Sequence, residues 1–205
     1  MELKVCGLSN LEEVKFCVEN KINYCGFILN YPKSHRYISF SQAQLLTEIE
    51  KKNSNYVGVL VNPNENELKE YSKLNLDYFQ IYGNYSSESL KEIKKKFKKN
   101  IITALQVKKK KDVEKYKNIE DGSDIILWDS SGYEESIGWD YNWIKPISVK
   151  AKKMVAGNIT INKLNELVDL ADIVDVSGAL ETNKVKDINK IKKFITEIKK
   201  INYAN

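Results

Sequence analysis

Short apolar runs rich in Val, Ile, Tyr and Phe recur along the chain. Each is followed by a polar stretch and then by a segment whose apolar residues return every three or four positions. The runs are Leu3 to Cys6, Tyr24 to Leu29, Tyr56 to Val61, Tyr78 to Tyr82, Ile101 to Leu105, Asp124 to Trp128, Lys153 to Ala156 and Ile173 to Val176. They predict strands. The segments between them predict helices beginning near Asn10, Ser41, Asn64, Ser86, Lys111, Tyr141 and Thr160, with a last helix from about Lys186 to Ile201. Ser41, Asn64, Ser86 and Thr160 are candidate N-caps, since their side-chain oxygens can accept from orphan backbone N–H groups. Strand and helix alternating eight times, at about 25 residues per unit, leave a closed (β/α)8 barrel or an open doubly wound sheet. Closure removes unpaired edges, and no glycine-rich G-x-G-x-x-G turn follows the first run. The pattern therefore predicts an α/β fold, a single (β/α)8 barrel over residues 1–205, with lean loops.

Composition narrows the function classes. With 42% hydrophobic residues in 205, the chain can bury a sizeable core. No stretch approaches the eighteen or so apolar residues of a membrane span, and the N-terminus passes straight into Glu2 and Lys4. A soluble, cytoplasmic protein without a membrane partner is expected. Cys6, Cys17 and Cys25 are odd in number and form no C-x-x-C pair, which suits reduced thiols better than a disulfide framework or a metal site. The net charge of +5 raises the question of nucleic acid. Its lysine runs, Lys94 to Lys96 and Lys108 to Lys111, lie in amphipathic segments with interleaved glutamates, as on solvated helix faces, so no nucleic-acid partner is expected. Among 33 basic residues there is one arginine, Arg36, and the only histidine, His35, adjoins it.

In a barrel of this kind chemistry gathers at the C-terminal ends of the strands. Cys6 ends the first run, where a thiol is either a small buried hydrophobe or, with a lowered pKa, a base or nucleophile. The long polar loop after the second run holds His35 and Arg36. An arginine in a chain that otherwise uses lysine suits a bidentate grip on carboxylate or phosphate, or else a surface ion pair. His35 is the conventional acid/base candidate, although its position could leave it in solvent. Asp129 follows the sixth run beside Trp128, as a general acid of raised pKa or as the cap of a turn. Ala156-Gly157-Asn158 and Ser177-Gly178-Ala179 follow the last two runs, where small residues expose backbone N–H groups that commonly cradle phosphate.

These residues fall in a set of short motifs. Lys4-Val5-Cys6-Gly7, Gly26-Phe27-Ile28, Ser34-His35-Arg36-Tyr37, Val57 to Asn62, Gln80-Ile81-Tyr82-Gly83, Ile126 to Asp129 and Asp175-Val176-Ser177 resemble, in order and spacing, K-[IV]-C-G, G-F, S-x-R-[YF], V-G-V-F-V-N, Q-L-H-G, L-L-L-D and D-V-S. In these the chain resembles, nearly end to end, the phosphoribosylanthranilate isomerase family, ribulose-phosphate-binding barrels of tryptophan biosynthesis. The resemblance implies a cofactor- and metal-free Amadori rearrangement of N-(5-phosphoribosyl)anthranilate, with a small sugar phosphate as partner and a monomer or homodimer as the assembly. Asp129 would be the general acid at the ring oxygen and Cys6, as thiolate, the base at C2. Asp129 would stay partly protonated through desolvation near Trp128. Arg36 would hold the anthranilate carboxylate, with Gln80 and Asp175 also against the substrate. Gly138, Gly157, Asn158, Ser177 and Gly178 would hold the phosphate.

Several positions depart from the family pattern. Tyr82 stands where Q-L-H-G has histidine, and Asn158 replaces a second glycine. Of the run G-G-[TS]-G before F-D-W only Gly138 and Trp143 remain in Ser136 to Trp143, and Ser177-Gly178-Ala179-Leu180-Glu181 shifts the glycine of S-S-G-V-E by one place. The competing reading is a catalytically impaired barrel that binds a phosphate ligand or acts as an interaction module. Related ribose-phosphate barrels fit less well, wanting catalytic lysines and a glutamate, or an aspartate in place of Cys6.

Overall fold

A computed structural model describes residues 1–130 and 138–204. Eight parallel strands pair in chain order: β1 (Glu2–Cys6), β2 (Tyr24–Ile28), β3 (Asn55–Val61), β4 (Tyr78–Tyr82), β5 (Asn100–Val107), β6 (Ile125–Ser130), β7 (Lys152–Val155) and β8 (Ile173–Val176). β8 pairs back onto β1, with Lys4 beside Asp175, and closes the expected barrel. A short antiparallel hairpin, β9 (Glu181–Thr182) and β10 (Val185–Lys186), follows β8.

The helices are α1 (Leu11–Glu19), α2 (Phe40–Thr47), α3 (Glu65–Tyr71), α4 (Ser87–Phe97), α5 (Leu164–Leu167) and α6 (Ile188–Ala204). Asn64 and Ser86 cap α3 and α4 as expected, accepting from Glu67 and Ser89 N–H, and Asn10 does the same for α1. Ser41 does not cap α2. Ser39 does, in a reciprocal box with Gln42, because the S-x-x-Q spacing starts the helix two residues earlier. α6 starts at Ile188 rather than Lys186, which belongs to β10, and Asp187 accepts from Asn189 and Lys190 N–H at its start.

The helices expected at Lys111, Tyr141 and Thr160 shrink to 3-10 turns. Lys110–Asn118 offers the core only Val113 and Tyr116, three residues apart, the period at which a 3-10 turn puts side chains on one face. Tyr141–Ile144 is stopped by Pro146, which cannot continue an intrahelical ladder. Thr160 precedes the turn Ile161–Lys163 without a side-chain cap bond, and only the single-turn α5 follows.

Strand alternation divides the core into two layers. Inside the barrel lie Tyr24, Val57, Val59, Ile102, Ile125, Leu127, Met154 and Ile173, with Cys6 and Tyr82. Between strands and helices pack Val5, Phe27, Ile126, Trp128 and Val174 against Val14, Leu68, Leu90, Ile191 and Phe194. The same alternation turns Lys4, Cys6, Gln80, Tyr82, Asp129 and Asp175 inward. Among the described residues no helix is long and apolar enough to cross a membrane.

Candidate active site

Inward side chains from β1, β4, β6 and β8 converge on a cavity of about 350 Å³, lined by Cys6, Tyr82, Asp129 and Asp175. Ile28, Val59 and Val61 give it an apolar wall, and Arg36 with the loops after β7 and β8 completes the lining.

Asp129 lies within β6 rather than beyond its end. Its neighbour Trp128 faces the other way, donating from Nε1 to the Val113 carbonyl 3.1 Å away and packing edge-on against Tyr116. Desolvation of Asp129 therefore comes from the barrel interior, not from Trp128 as the sequence suggests, because neighbours on a strand point to opposite faces. Tyr82 Oη donates to Asp129 Oδ2 at 2.7 Å, and Ser130 N–H to Oδ1 at 2.7 Å. Burial pushes the Asp129 carboxyl up to about 6 against these hydrogen bonds, and the charge of Asp175 adds to the rise. Tyr82, at the position where the family motif has histidine, is thus a hydrogen-bond donor to Asp129. Gln80 does not line the cavity. Its Nε2 donates to Tyr82 Oη at 3.2 Å, so it reaches the site only through that phenol.

Lys4 is fully buried, and its Nζ donates to Asp175 Oδ2 at 2.8 Å. Asp175 Oδ1 is buried with no hydrogen-bond partner among the described residues, an acceptor on the cavity lining. Burial pushes the Cys6 thiol above its ordinary value, Lys4 pulls it back, and Asp175 pushes it up again. Ser177 Oγ donates to the Cys6 carbonyl at 2.9 Å and ties the end of β1 to the loop after β8.

Arg36 lies across Gly7, where φ is +80° and a Cβ would overlap the arginine Cδ, so this position needs glycine twice over. Two of the three nitrogens of its fork are already taken. Arg36 Nε donates to Glu181 Oε1 at 2.5 Å and Nη2 to Oε2 at 3.0 Å. His35 Nε2 meets Glu181 Oε2 at 3.1 Å, and Lys186 Nζ donates to Oε1 at 2.5 Å. Burial by itself would raise the Glu181 carboxyl, but Arg36 and Lys186 hold it down to about 2. Its ionised form therefore contributes stability that is complete above the ordinary value of 4.5 and is lost as pH falls through about 2. Urea unfolding across this window is expected to show a steeper acid loss in the wild type than in Glu181→Gln. Equal slopes would contradict the clamp.

After β7, Trp139 Nε1 donates to the Ala156 carbonyl at 2.9 Å, Tyr141 Oη to the Gly157 carbonyl at 2.5 Å, and Lys163 Nζ to the Asn158 carbonyl at 3.2 Å. Gly157 and Asn158 both have positive φ, 98° and 51°. Because a peptide's N–H points away from its C=O, three carbonyls anchored by side chains turn the following N–H groups the opposite way. Gly157, Asn158, Ser177 and Gly178 all line the cavity. Gly138 does not, but it adjoins the cradle, since a Cβ on it would lie 3.6 Å from Asn158 Nδ2. Ser136 and Ile137 of the sequence motif lie outside the described residues.

The barrel thus brings Cys6, Asp129, Arg36, Asp175, Gly157, Asn158, Ser177 and Gly178 to one cavity and leaves Gln80 and Gly138 behind it. Reading the sequence missed Lys4, the Tyr82 bond to Asp129, and Glu181. Lys4 carried a local signal, a lysine two residues before Cys6 on the same strand face.

The model of the family "N-(5'phosphoribosyl)anthranilate (PRA) isomerase" matches residues 3–197. A relative of that name from Streptococcus mutans is 33% identical over 202 residues, covering 97% of this chain and 99% of its own, and one from Thermoanaerobacter pseudethanolicus is 32% identical over 98% and 99%. The crystal structure of the Thermotoga maritima phosphoribosyl anthranilate isomerase superposes with a TM-score of 0.84 at 28% identity, covering 98% of this chain and 99% of that one. A second phosphoribosyl anthranilate isomerase, solved in complex with reduced 1-(o-carboxyphenylamino)-1-deoxyribulose 5-phosphate, superposes at 0.81 with 27% identity and the same coverage.

Proposed function

The chain belongs to the N-(5'-phosphoribosyl)anthranilate isomerase family, and from this we propose that it converts N-(5'-phosphoribosyl)anthranilate into 1-(o-carboxyphenylamino)-1-deoxyribulose 5-phosphate, a step of tryptophan biosynthesis. The observation that carries the reading is a buried carboxyl at about 6, Asp129, sharing one cavity with the Cys6 thiol from a non-adjacent strand. A carboxyl still partly protonated near neutral pH and a thiol that can ionise on the same cavity are what such an isomerisation needs.

Protonated Asp129 gives its proton to the furanose ring oxygen. The C1–O bond breaks, and the anthranilate nitrogen lone pair forms the C1=N bond of the protonated Schiff base. Cys6 as thiolate takes the C2 proton, and the C–H electron pair moves toward the iminium nitrogen to give the enolamine. The enolamine tautomerises to the ketone. Arg36 meets the anthranilate carboxylate through Nη1, the group its Glu181 bonds leave over, and Lys186 offsets the Glu181 charge so that the cluster keeps a net positive charge. Asp175 Oδ1 accepts from a sugar hydroxyl. The braced loop after β7 and the loop after β8 hold the phosphate through backbone N–H groups, which supports ligand binding despite the lost glycines.

The active form has Asp129 protonated and Cys6 ionised, although Asp129 is the stronger acid. Its fraction rises with pH up to about 6, stays level until the thiol ionises, and then falls. A profile of kcat/KM against pH is therefore expected to show an acid limb from Asp129 and an alkaline limb from Cys6. Tyr82→Phe, which removes a hydrogen bond favouring the carboxylate, should move the acid limb upward. An unmoved limb would detach Tyr82 from the acid.

The direct test is complementation of a tryptophan auxotroph lacking this isomerase. Growth on minimal medium supports catalysis, whereas a barrel that only binds a phosphate ligand gives none.

A further inference from the structure

Lys4 and Cys6 are two residues apart on β1, so both side chains enter the barrel from the same strand face. A lysine with 0% exposure is costly to bury, and its neighbours in the interior, such as Tyr24, Val57 and Ile173, fill the space with apolar groups. Packing alone does not call for an ammonium there. Its position is defined by two contacts. Asp175 Oδ2 lies 2.8 Å from Lys4 Nζ, and a Cβ built on Gly26 would lie 3.2 Å from Lys4 Nζ and 3.1 Å from Cys6 Sγ. Ammonium and thiol therefore both lie against one point of β2, close enough for the charge of Lys4 to favour the thiolate.

We propose that Lys4 is the positioning residue that lets Cys6 ionise: its ammonium stabilises the thiolate, and Asp175 holds that ammonium in place while limiting how far the thiol is acidified. The role rests on Cys6 being the base of the reaction proposed above. In the step itself the C2 proton goes to the Cys6 sulfur and the C–H electron pair to the iminium, while Lys4 keeps all three of its protons. Although burial works against the charge of Lys4, Asp175 and Cys6 outweigh it and hold the ammonium form. The other charged or titratable groups facing Cys6 are Lys186 from β10, which also favours thiolate, and Tyr82 from β4, with Asp129 and Arg36 on the same cavity.

The test reads Cys6 directly. Cys17 and Cys25 are fully buried, so alkylation of the folded protein by iodoacetamide reports on Cys6, with Cys6→Ala as the control for background labelling. The inflection of alkylation rate against pH is expected to rise by about one unit or more in Lys4→Met and to fall in Asp175→Asn, where the opposing charge is gone. The alkaline limb of kcat/KM should move in the same directions, and the Lys4→Met plateau should drop by the matching factor. An unmoved inflection in folded Lys4→Met, or one that moves down, overturns the proposal. If Lys4→Met does not fold, the double variant Lys4→Met/Asp175→Asn, which leaves no unpaired buried carboxylate, is read against Asp175→Asn alone: a higher inflection in the double variant supports the proposal, and an equal or lower one overturns it. Should the alkylation inflection move while the kcat/KM profile stays still, Lys4 tunes the thiol but Cys6 is not the base, and the failure belongs to the catalytic reading.

Discussion

Asp129→Asn is expected to lower kcat by about 10²- to 10⁴-fold, the usual worth of a positioned acid, in an assay following the decay of substrate fluorescence. Asparagine keeps the size of the side chain and an oxygen for the Tyr82 hydroxyl, but has no carboxyl proton to deliver to the ring oxygen. A second measurement separates the acid from a turn cap. Because burial raises the Asp129 carboxyl from 3.8 to about 6, the wild type loses stability as pH climbs through that interval and the buried group ionises. The asparagine variant has no such ionisation. It should be more resistant to urea than the wild type above about pH 6 and similar below pH 3.8. A variant both inactive and less stable at neutral pH would identify Asp129 as a structural residue instead.

Cys6→Ala should cost about 10²- to 10⁴-fold in kcat as well, for the opposite half of the proton transfer. Its signature differs. Arg36, Asp175 and the loops after β7 and β8 are untouched, so affinity for the reduced product should change little, as read by quenching of intrinsic fluorescence. Cys6→Ser should be nearly as inactive, since a hydroxyl in the same buried position ionises far less readily than a thiol. Substantial activity in either variant would remove the thiol from the mechanism and pass the base role to another group on the cavity.

The eightfold alternation was legible because strand and helix periods are local properties of the chain. Asn64 and Ser86 cap as their positions suggested, whereas Ser41 gave way to Ser39. The second half was harder to read. Three of its helical stretches collapsed to 3-10 turns, since Val113 and Tyr116 leave few apolar anchors and Pro146 halts the next segment. The candidate site was legible as a set of strand ends and not as a set of contacts. Cys6, Arg36 and Asp129 stand on one cavity, but Gln80 turned out to act on Tyr82, and the arginine that composition left as either a ligand grip or an ion pair has two of its nitrogens on Glu181.

By itself, then, the sequence determined the order of the strands, the family motifs they carry and which residues stand at their ends. Tertiary structure decided who touches whom. Arg36 meets a carboxylate 145 residues away, and Lys4 meets Asp175 across 171 residues of chain. Such pairs depend on how β8 registers against β1 when the barrel closes and on where the β9–β10 hairpin lies, and no local spacing encodes either. The protonation of the site follows from the same closure, because desolvation and through-space charge act only once distant strands are neighbours.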